Sequence, residues 1–241
     1  MKIFYFSGSP KGKNSRSYQY VEKLLRSIEN NFGENKVTIH EYNPKSLNLK
    51  KSSGDESLFI NGEDSLDCID KFDSVKKEIQ ESDLIILSSP VMAQAVSADM
   101  KIFIERISHF AHTFSLIGKT CYIVTSSYSN GNSAVHDYLH DVVEYMGMIE
   151  VGRADIVISR KENIDFIKEA AILSLFLRKK IIPKIPQDMN EKFDKMRSLY
   201  FDNRENPRFK YEAQIYERKG YFSSRSFGEL YTDYFYGRLK W

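Results

Sequence analysis

Short apolar runs alternate with amphipathic stretches over the first 182 residues, and few folds accept that alternation. Lys2–Ser7 (KIFYFS) is nearly continuous in aromatic and β-branched side chains and is stopped by Gly8, Ser9 and Pro10. Such a run reads as a strand buried on both faces. From Ser15 to Ile28, apolar residues at Tyr18, Val21, Leu24, Leu25 and Ile28 recur at helical spacing. Lys36–Tyr42 (KVTIHEY) alternates and predicts a second strand. Asn43 to Asp67 is polar, with Pro44, Gly54 and Gly62, and reads as the longest irregular stretch. The alternation then resumes: a helix around Phe72, Val75 and Ile79, a strand at Asp83–Ser88 (DLIILS), and a helix from Ala98 to Phe110. A strand at Thr120–Thr125 (TCYIVT), a helix from Ala134 to Met146, and a last strand within Ile149–Ile158 follow. The final helix, Asp165 to Ile182, must stop near Pro183. Strands alternating with helices predict an α/β domain built on a doubly wound, five-stranded parallel sheet with helices on both faces.

Residues 184–241 differ in character. They hold 14 of the chain's 32 aromatic side chains, with 12 basic and 9 acidic residues. Only Asn190 to Tyr200 suggests a helix; the remainder shows no clean period. So much apolar surface does not suit a flexible linker. The sequence divides into a domain over 1–183 and an aromatic-rich C-terminal extension over 184–241, which packs on the domain, forms a dimer contact or acts as a lid.

Composition narrows the function classes. No apolar run approaches the length a bilayer requires, and the Gly-Ser-Pro turn ends Met1–Phe6 too early for a signal peptide, so a cytoplasmic protein without a membrane partner is expected. A net charge of +2 provides no general attraction to nucleic acid. Cys68 and Cys121 are the only cysteines, too few for a disulfide framework or a four-thiolate metal site.

In a doubly wound sheet, ligands bind beyond the carboxyl ends of the strands. Three loops at that end carry the chemistry. The first, Gly8–Ser17, joins the first strand to the first helix, and its hydroxyls and amides, with Lys11, Lys13 and Arg16, form an anion site at a helix N-terminus. It is not a nucleotide P-loop: Gly8 and Gly12-Lys13 are one residue too close, and Asn14 follows. No G-x-G-x-x-G occurs there either. The second loop, Ser88–Ala98, leads into Asp99–Arg106, and the third runs from Ser126 to Ser133.

The G-S-P-K-x-x-N-S block at Gly8–Ser15, the S-P-V block at Ser89–Val91 and the S-A-x-x-K-x-F-I-E-R block at Ser97–Arg106 resemble those of the flavodoxin-like NAD(P)H-dependent FMN reductases and quinone reductases, including the iron–sulfur flavoprotein branch. The resemblance covers about the first 180 residues in matching order. It implies that Ser9, Lys11, Asn14, Ser15 and Ser17 hold the phosphate of FMN. It also implies that Pro90, Val91, Met92 and Ala93 line the flavin ring, and that Ser126, Ser127, Tyr128 and Gly131 close over it from the other side. NADPH or NADH is then the co-substrate, a quinone, free flavin or other small molecule the electron acceptor, and a homodimer or higher homo-oligomer the expected assembly. The competing expectations are a flavodoxin-type electron carrier, which the lack of an acidic docking face opposes, and a dedicated reductase of a peptide or secondary metabolite.

Two departures stand out. Met92 takes the place of a common aromatic residue. In the loop after the second strand, where iron–sulfur members carry closely spaced cysteines, this chain reads Ser52-Ser53-Gly54-Asp55-Glu56-Ser57-Leu58, so no iron–sulfur cluster is expected. No catalytic acid or base stands out in the sequence, and Tyr128 is the one side chain considered for a proton donor. His109 and His112, three apart, and His136 and His140, four apart, lack an H-E-x-x-H or cysteine partner; they read as surface or loop-proximal histidines, with no metal expected. Cys121, inside a strand, reads as a buried inert thiol, and Asp67, Asp70 and Asp73 as acids at a capped helix start.

Overall fold

The computed structural model describes residues 1–33, 36–54, 56–160, 165–224 and 226–239. Asp55 of the Ser52–Leu58 stretch, and positions 225, 240 and 241 of the extension, lie outside them. Strands β1 (Lys2–Ser7), β2 (Thr38–Tyr42), β3 (Leu84–Pro90), β4 (Thr120–Ser127) and β5 (Ile149–Val157) form one parallel sheet in the order β2-β1-β3-β4-β5. That is the flavodoxin-like order, with the switch point between β1 and β3. The helices of the sheet domain are α1 (Arg16–Phe32), α2 (Pro44–Leu47), α3 (Ser57–Asn61), α4 (Asp67–Asp70), α5 (Phe72–Glu81), α6 (Ala98–Arg106), α7 (His109–Thr113), α8 (Asn132–Tyr145) and α9 (Phe166–Leu177). Those of the extension are α10 (Asp188–Asp202), α11 (Lys210–Arg218) and α12 (Phe227–Phe235).

The inner strands β1, β3 and β4 are largely apolar because successive side chains serve two cores, whereas the edge strands β2 and β5 carry polar residues such as His40, Glu41, Glu150 and Arg153. Phe4, Phe6, Ile85, Leu87, Cys121 and Ile123 face α5, α6 and α8, where the Phe6 and Phe103 rings stack with centroids 4.0 Å apart. Ile3, Tyr5, Leu84, Ile86, Tyr122 and Val124 face α1 and α9. Cys121 is fully buried, and burial pushes its thiol well above its ordinary value.

Several sequence expectations need correction. The stretch after β2 is not irregular throughout: Asn43 and Ser46 form a capping box around Pro44 that starts α2, and α3 and α4 follow. The helix expected over Ala98 to Phe110 breaks after Arg106 and resumes as α7. His109 is buried rather than superficial, and burial holds it neutral, well below the usual histidine range. Asp67 and Asp70 do more than cap a helix. Both grip the fully buried Arg106, at 2.5 Å and 2.6 Å, while Lys76 pairs with Asp67. Arg106 also donates to the Lys50 carbonyl at 2.9 Å, so one guanidinium ties the long β2–α5 connection to α6.

The extension is helical where no period was visible. Phe193, Tyr200, Tyr216, Tyr221, Phe227 and Tyr231 build a third core together with Phe114, Ile117 and Ile149 of the sheet domain. Tyr231 donates to the Lys119 carbonyl at 2.9 Å and Tyr221 to the Phe114 carbonyl at 3.3 Å. This core lies at the amino ends of β4 and β5, the opposite end of the sheet from the three loops. Among the described residues, no helix is long and apolar enough to cross a membrane.

Candidate functional site

The parallel register brings Ser7 beside Ser88, Pro90 beside Ser126, and Ser127 beside Val157, so the loops leaving β1, β3, β4 and β5 emerge side by side. In the first loop the Gly8 amide donates to the Ser88 carbonyl at 2.7 Å. A Cβ on Gly8 would stand 2.7 Å from Met100 Cβ, so glycine is what lets the chain cross the start of α6. A tight turn follows, with Gly12 donating to the Ser9 carbonyl at 3.0 Å and Lys11 to Ser9 Oγ at 3.3 Å. Ser15 caps α1, its Oγ accepting from the Tyr18 amide at 3.1 Å. The first-turn amides of Arg16 and Ser17 have no acceptor among the described residues, which leaves donors at the positive end of a 17-residue helix. Ser17 Oγ is fully buried behind Ser15, at 3.4 Å from its Oγ.

The second loop is a hairpin-like turn that the sequence did not announce. Met92 and Ala95 exchange backbone hydrogen bonds of 2.9 Å and 3.0 Å across Ala93 (φ +50°) and Gln94 (φ +65°). Two successive left-handed residues normally call for Asn or Gly, and here neither is present. The turn is held from outside: Val91 donates to the Ser126 carbonyl at 2.7 Å and Gln94 Nε2 to Asn130 Oδ1 at 3.0 Å. Gly131 completes the contact, since a Cβ there would lie 2.6 Å from Val91 Cγ1.

A buried chain of hydrogen bonds fixes the third loop. Thr125 Oγ1 donates to Asp155 at 2.8 Å and therefore accepts from Asn132 Nδ2 at 2.6 Å. Asn132 Oδ1 is thereby turned toward Ser127 Oγ, which donates to it at 2.5 Å. With its proton committed, Ser127 has only lone pairs left to offer a ligand.

These loops enclose a cavity of about 420 Å³ lined by Ser9, Lys11, Asn14, Ser15, Arg16, Pro90, Val91, Met92, Ser126, Ser127, Tyr128 and Ile158. The structure thus brings together Ser9, Lys11, Asn14, Ser15, Pro90, Val91, Met92, Ser126, Ser127 and Tyr128 of the residues singled out above. Ser17, Ala93 and Gly131 stand behind or beside the lining. Arg16 appeared in the sequence only as part of the basic loop, and Ile158, just past β5, carried no signal at all. Two cations and no carboxylate line the cavity, with the cations in the first loop and the apolar side chains in the others. Two larger clefts, about 660 Å³ and 890 Å³, lie against the extension and are lined by carboxylates and lysines together.

Topology and loop placement define the chain as a flavodoxin-like α/β protein with a ligand cleft at the switch point. Residues 1–163 match the family described as NADPH-dependent FMN reductase, and the chain belongs to that family. It is therefore an NAD(P)H-dependent flavin oxidoreductase by class. An iron–sulfur flavoprotein of Archaeoglobus fulgidus is 31% identical over 158 residues, covering 64% of this chain and 67% of its own length. A second, from Methanocaldococcus jannaschii, is 28% identical over 160 residues, covering 64% of this chain and 78% of its own. The fold also matches an FMN-dependent NADH-azoreductase from Bacillus anthracis, solved in complex with FMN, with a TM-score of 0.56 and 13% identity over 75% of this chain and 99% of that one.

Proposed function

We propose that the cavity binds FMN and that the protein passes electrons from NADPH or NADH to a small acceptor such as a quinone or free flavin. The observation that carries this is the division of the lining: Lys11 and Arg16 with the α1 amides at one end, Pro90, Val91, Met92 and Ile158 at the other, and no acid between. A phosphate requires the first set and a flat conjugated ring the second. The volume falls in the range of small-ligand sites.

FMN, when bound, supplies the hydride and electron chemistry. The chain's own part is placement. Ser9, Asn14 and Ser15 supply hydroxyl and amide groups for the phosphate, and Lys11 and Arg16 offset its charge. The Met92–Ala95 turn and the Ser126–Tyr128 segment wall the ring position from opposite sides, and Ser127 Oγ presents an acceptor to a ligand N–H. Met92, Tyr128 and Ile158 remain exposed at the rim, an apolar surface suited to the acceptor or to a second copy of the chain. With only Cys68 and Cys121 in the chain, we infer function without an iron–sulfur cluster of its own.

The test is a visible spectrum of the purified protein, reconstituted with FMN, before and after NADPH is added without oxygen. Prompt bleaching, and reoxidation by a simple quinone or by free flavin, is the expected result. Failure to take up FMN would overturn the reading. Bleaching that neither a quinone nor free flavin reverses would replace the acceptor.

A further inference from the structure

His136 and His140 sit one turn apart on α8, and the fold places Glu150 of β5 between them. His136 Nε2 lies 2.8 Å from Glu150 Oε1 and His140 Nδ1 lies 2.6 Å from Glu150 Oε2. One ligand atom from each of the three residues falls within 4.8 Å of the other two. Glu150 pairs in register with Cys121, whose side chain faces α8, and the sheet irregularity follows it immediately.

We propose that His136, His140 and Glu150 form a binding site for a divalent transition metal, with Zn²⁺ as the best fit. Two imidazoles and a carboxylate are a three-ligand set that Zn²⁺ takes with a fourth position left open. The outer nitrogens support the assignment. His136 Nδ1 faces Asp137 Oδ1 at 3.1 Å and His140 Nε2 faces Glu144 Oε1 at 3.3 Å. Each ring therefore has a carboxylate ready to take the N–H that metal binding forces onto the far nitrogen, which fixes the ring's orientation. His136 and Glu150 side chains are each 9% exposed, whereas His140 is 37% exposed, so the open position faces solvent on the His140 side. Arg153 donates to His136 Nδ1 at 3.0 Å, and metal binding must release that contact; Asp155, 3.6 Å from Arg153 Nε, is the partner it keeps.

The site lies outside the cavity but is connected to it. α8 begins at Asn132, which orients Ser127, and Glu144 on the same helix grips Lys192 of α10 at 2.6 Å. A metal here clamps α8 onto β5 and, through Glu144, steadies the extension.

The test uses the full-length, untagged chain, stripped with a chelator and titrated with Co²⁺ and then Zn²⁺. Expected are visible Co²⁺ bands of a low-coordinate site that saturate at one ion per chain, with a dissociation constant below about 1 µM, and their displacement by Zn²⁺. His140→Ala should abolish the bands. Asp137→Asn, at an exposed position, should weaken binding about tenfold and leave the fold intact. His40→Ala, a histidine paired with Glu78 elsewhere in the molecule, should change nothing. No saturable binding by the wild-type chain, or saturation that survives His140→Ala, overturns the site. The far-ultraviolet spectrum and FMN uptake of each variant separate loss of the metal site from loss of fold.

Discussion

Arg106 shows how much one side chain can organise. It has no solvent exposure, yet its charge is met by Asp67 and Asp70 together, with Asp64 at 3.7 Å from its Nε. A buried guanidinium with several oxygen partners is strongly missed when removed, because the carboxylates remain buried without it. Arg106→Ala should cost about 3–5 kcal/mol in urea unfolding; a loss under about 1 kcal/mol would contradict the structural role given to the pairing. The pH dependence has a definite sign. Burial raises Asp70, but the Arg106 hydrogen bond, the Lys50 amide and the guanidinium charge outweigh it and hold the carboxyl below its ordinary value of 3.8. A depressed carboxylate contributes stability above its unfolded range and loses it as pH falls. The wild-type chain should therefore lose stability below about pH 4 more steeply than Arg106→Ala does. At the cavity, Lys11→Ala and Arg16→Ala should each weaken FMN binding about tenfold, a modest effect because both side chains are exposed. Flavin fluorescence titration measures this, and unchanged affinity in both variants would remove the phosphate from that end of the cavity.

At the scale of elements, the sheet was legible from two signals: nearly continuous apolar runs at β1, β3 and β4, and alternation at β2, with helical periods between most of the strands. The first loop was legible from its residue types, since Gly8 and Pro10 stop a strand and Ser15 caps a helix, although what requires glycine at position 8 is its close approach to Met100 of α6. What sequence did not show depends on contacts between distant segments. Arg106 meets Asp67 and Asp70 only once the β2–α5 connection folds back, and Glu150 meets His136 and His140 only once the turn after α8 lays β5 against that helix. The Met92–Ala95 turn is the clearest case. Ala93 and Gln94 have no local preference for left-handed backbone, so the turn is imposed by Val91–Ser126 and Gln94–Asn130. Such a residue carries about 1–2 kcal/mol of strain, and glycine removes it. Ala→Gly usually destabilises, by about 0.5–1 kcal/mol in regular structure. Ala93→Gly should instead leave the thermal midpoint unchanged or raise it. A drop of several degrees would show that the left-handed turn is not populated.

The whole molecule is one body with two ends of different chemistry. The cavity end is cationic, whereas the far end packs aromatic rings beside two amines, Lys119 and Lys219, at the edges of the clefts against the extension. Burial, reinforced by Arg218 and Lys119, pulls Lys219 from 10.5 down to about 7. Burial pulls Lys119 down to about 8, partly offset by Asp83. Between these values and 10.5 the unfolded chain binds more protons than the folded one, so stability must rise with pH. The opposite sign takes over higher up. Burial raises Cys121 above 9.0, and Tyr216, Tyr221 and Tyr231 above 10.0, so alkali ionises these groups in the unfolded chain first and favours unfolding. The thermal midpoint should climb from about pH 7 to about pH 9 and turn down beyond about pH 10. Most globular proteins have already reached their maximum by about pH 8, so the displaced maximum is a signature of the two amines buried where the extension meets the sheet domain. Lys219→Met keeps the apolar stem and discards the charge; it should raise the midpoint at pH 7 and flatten most of the climb. A wild-type midpoint that is flat or falling from pH 7 to 9 would mean that the two amines are not buried as described. A climb that Lys219→Met leaves intact would assign it to Lys119 alone.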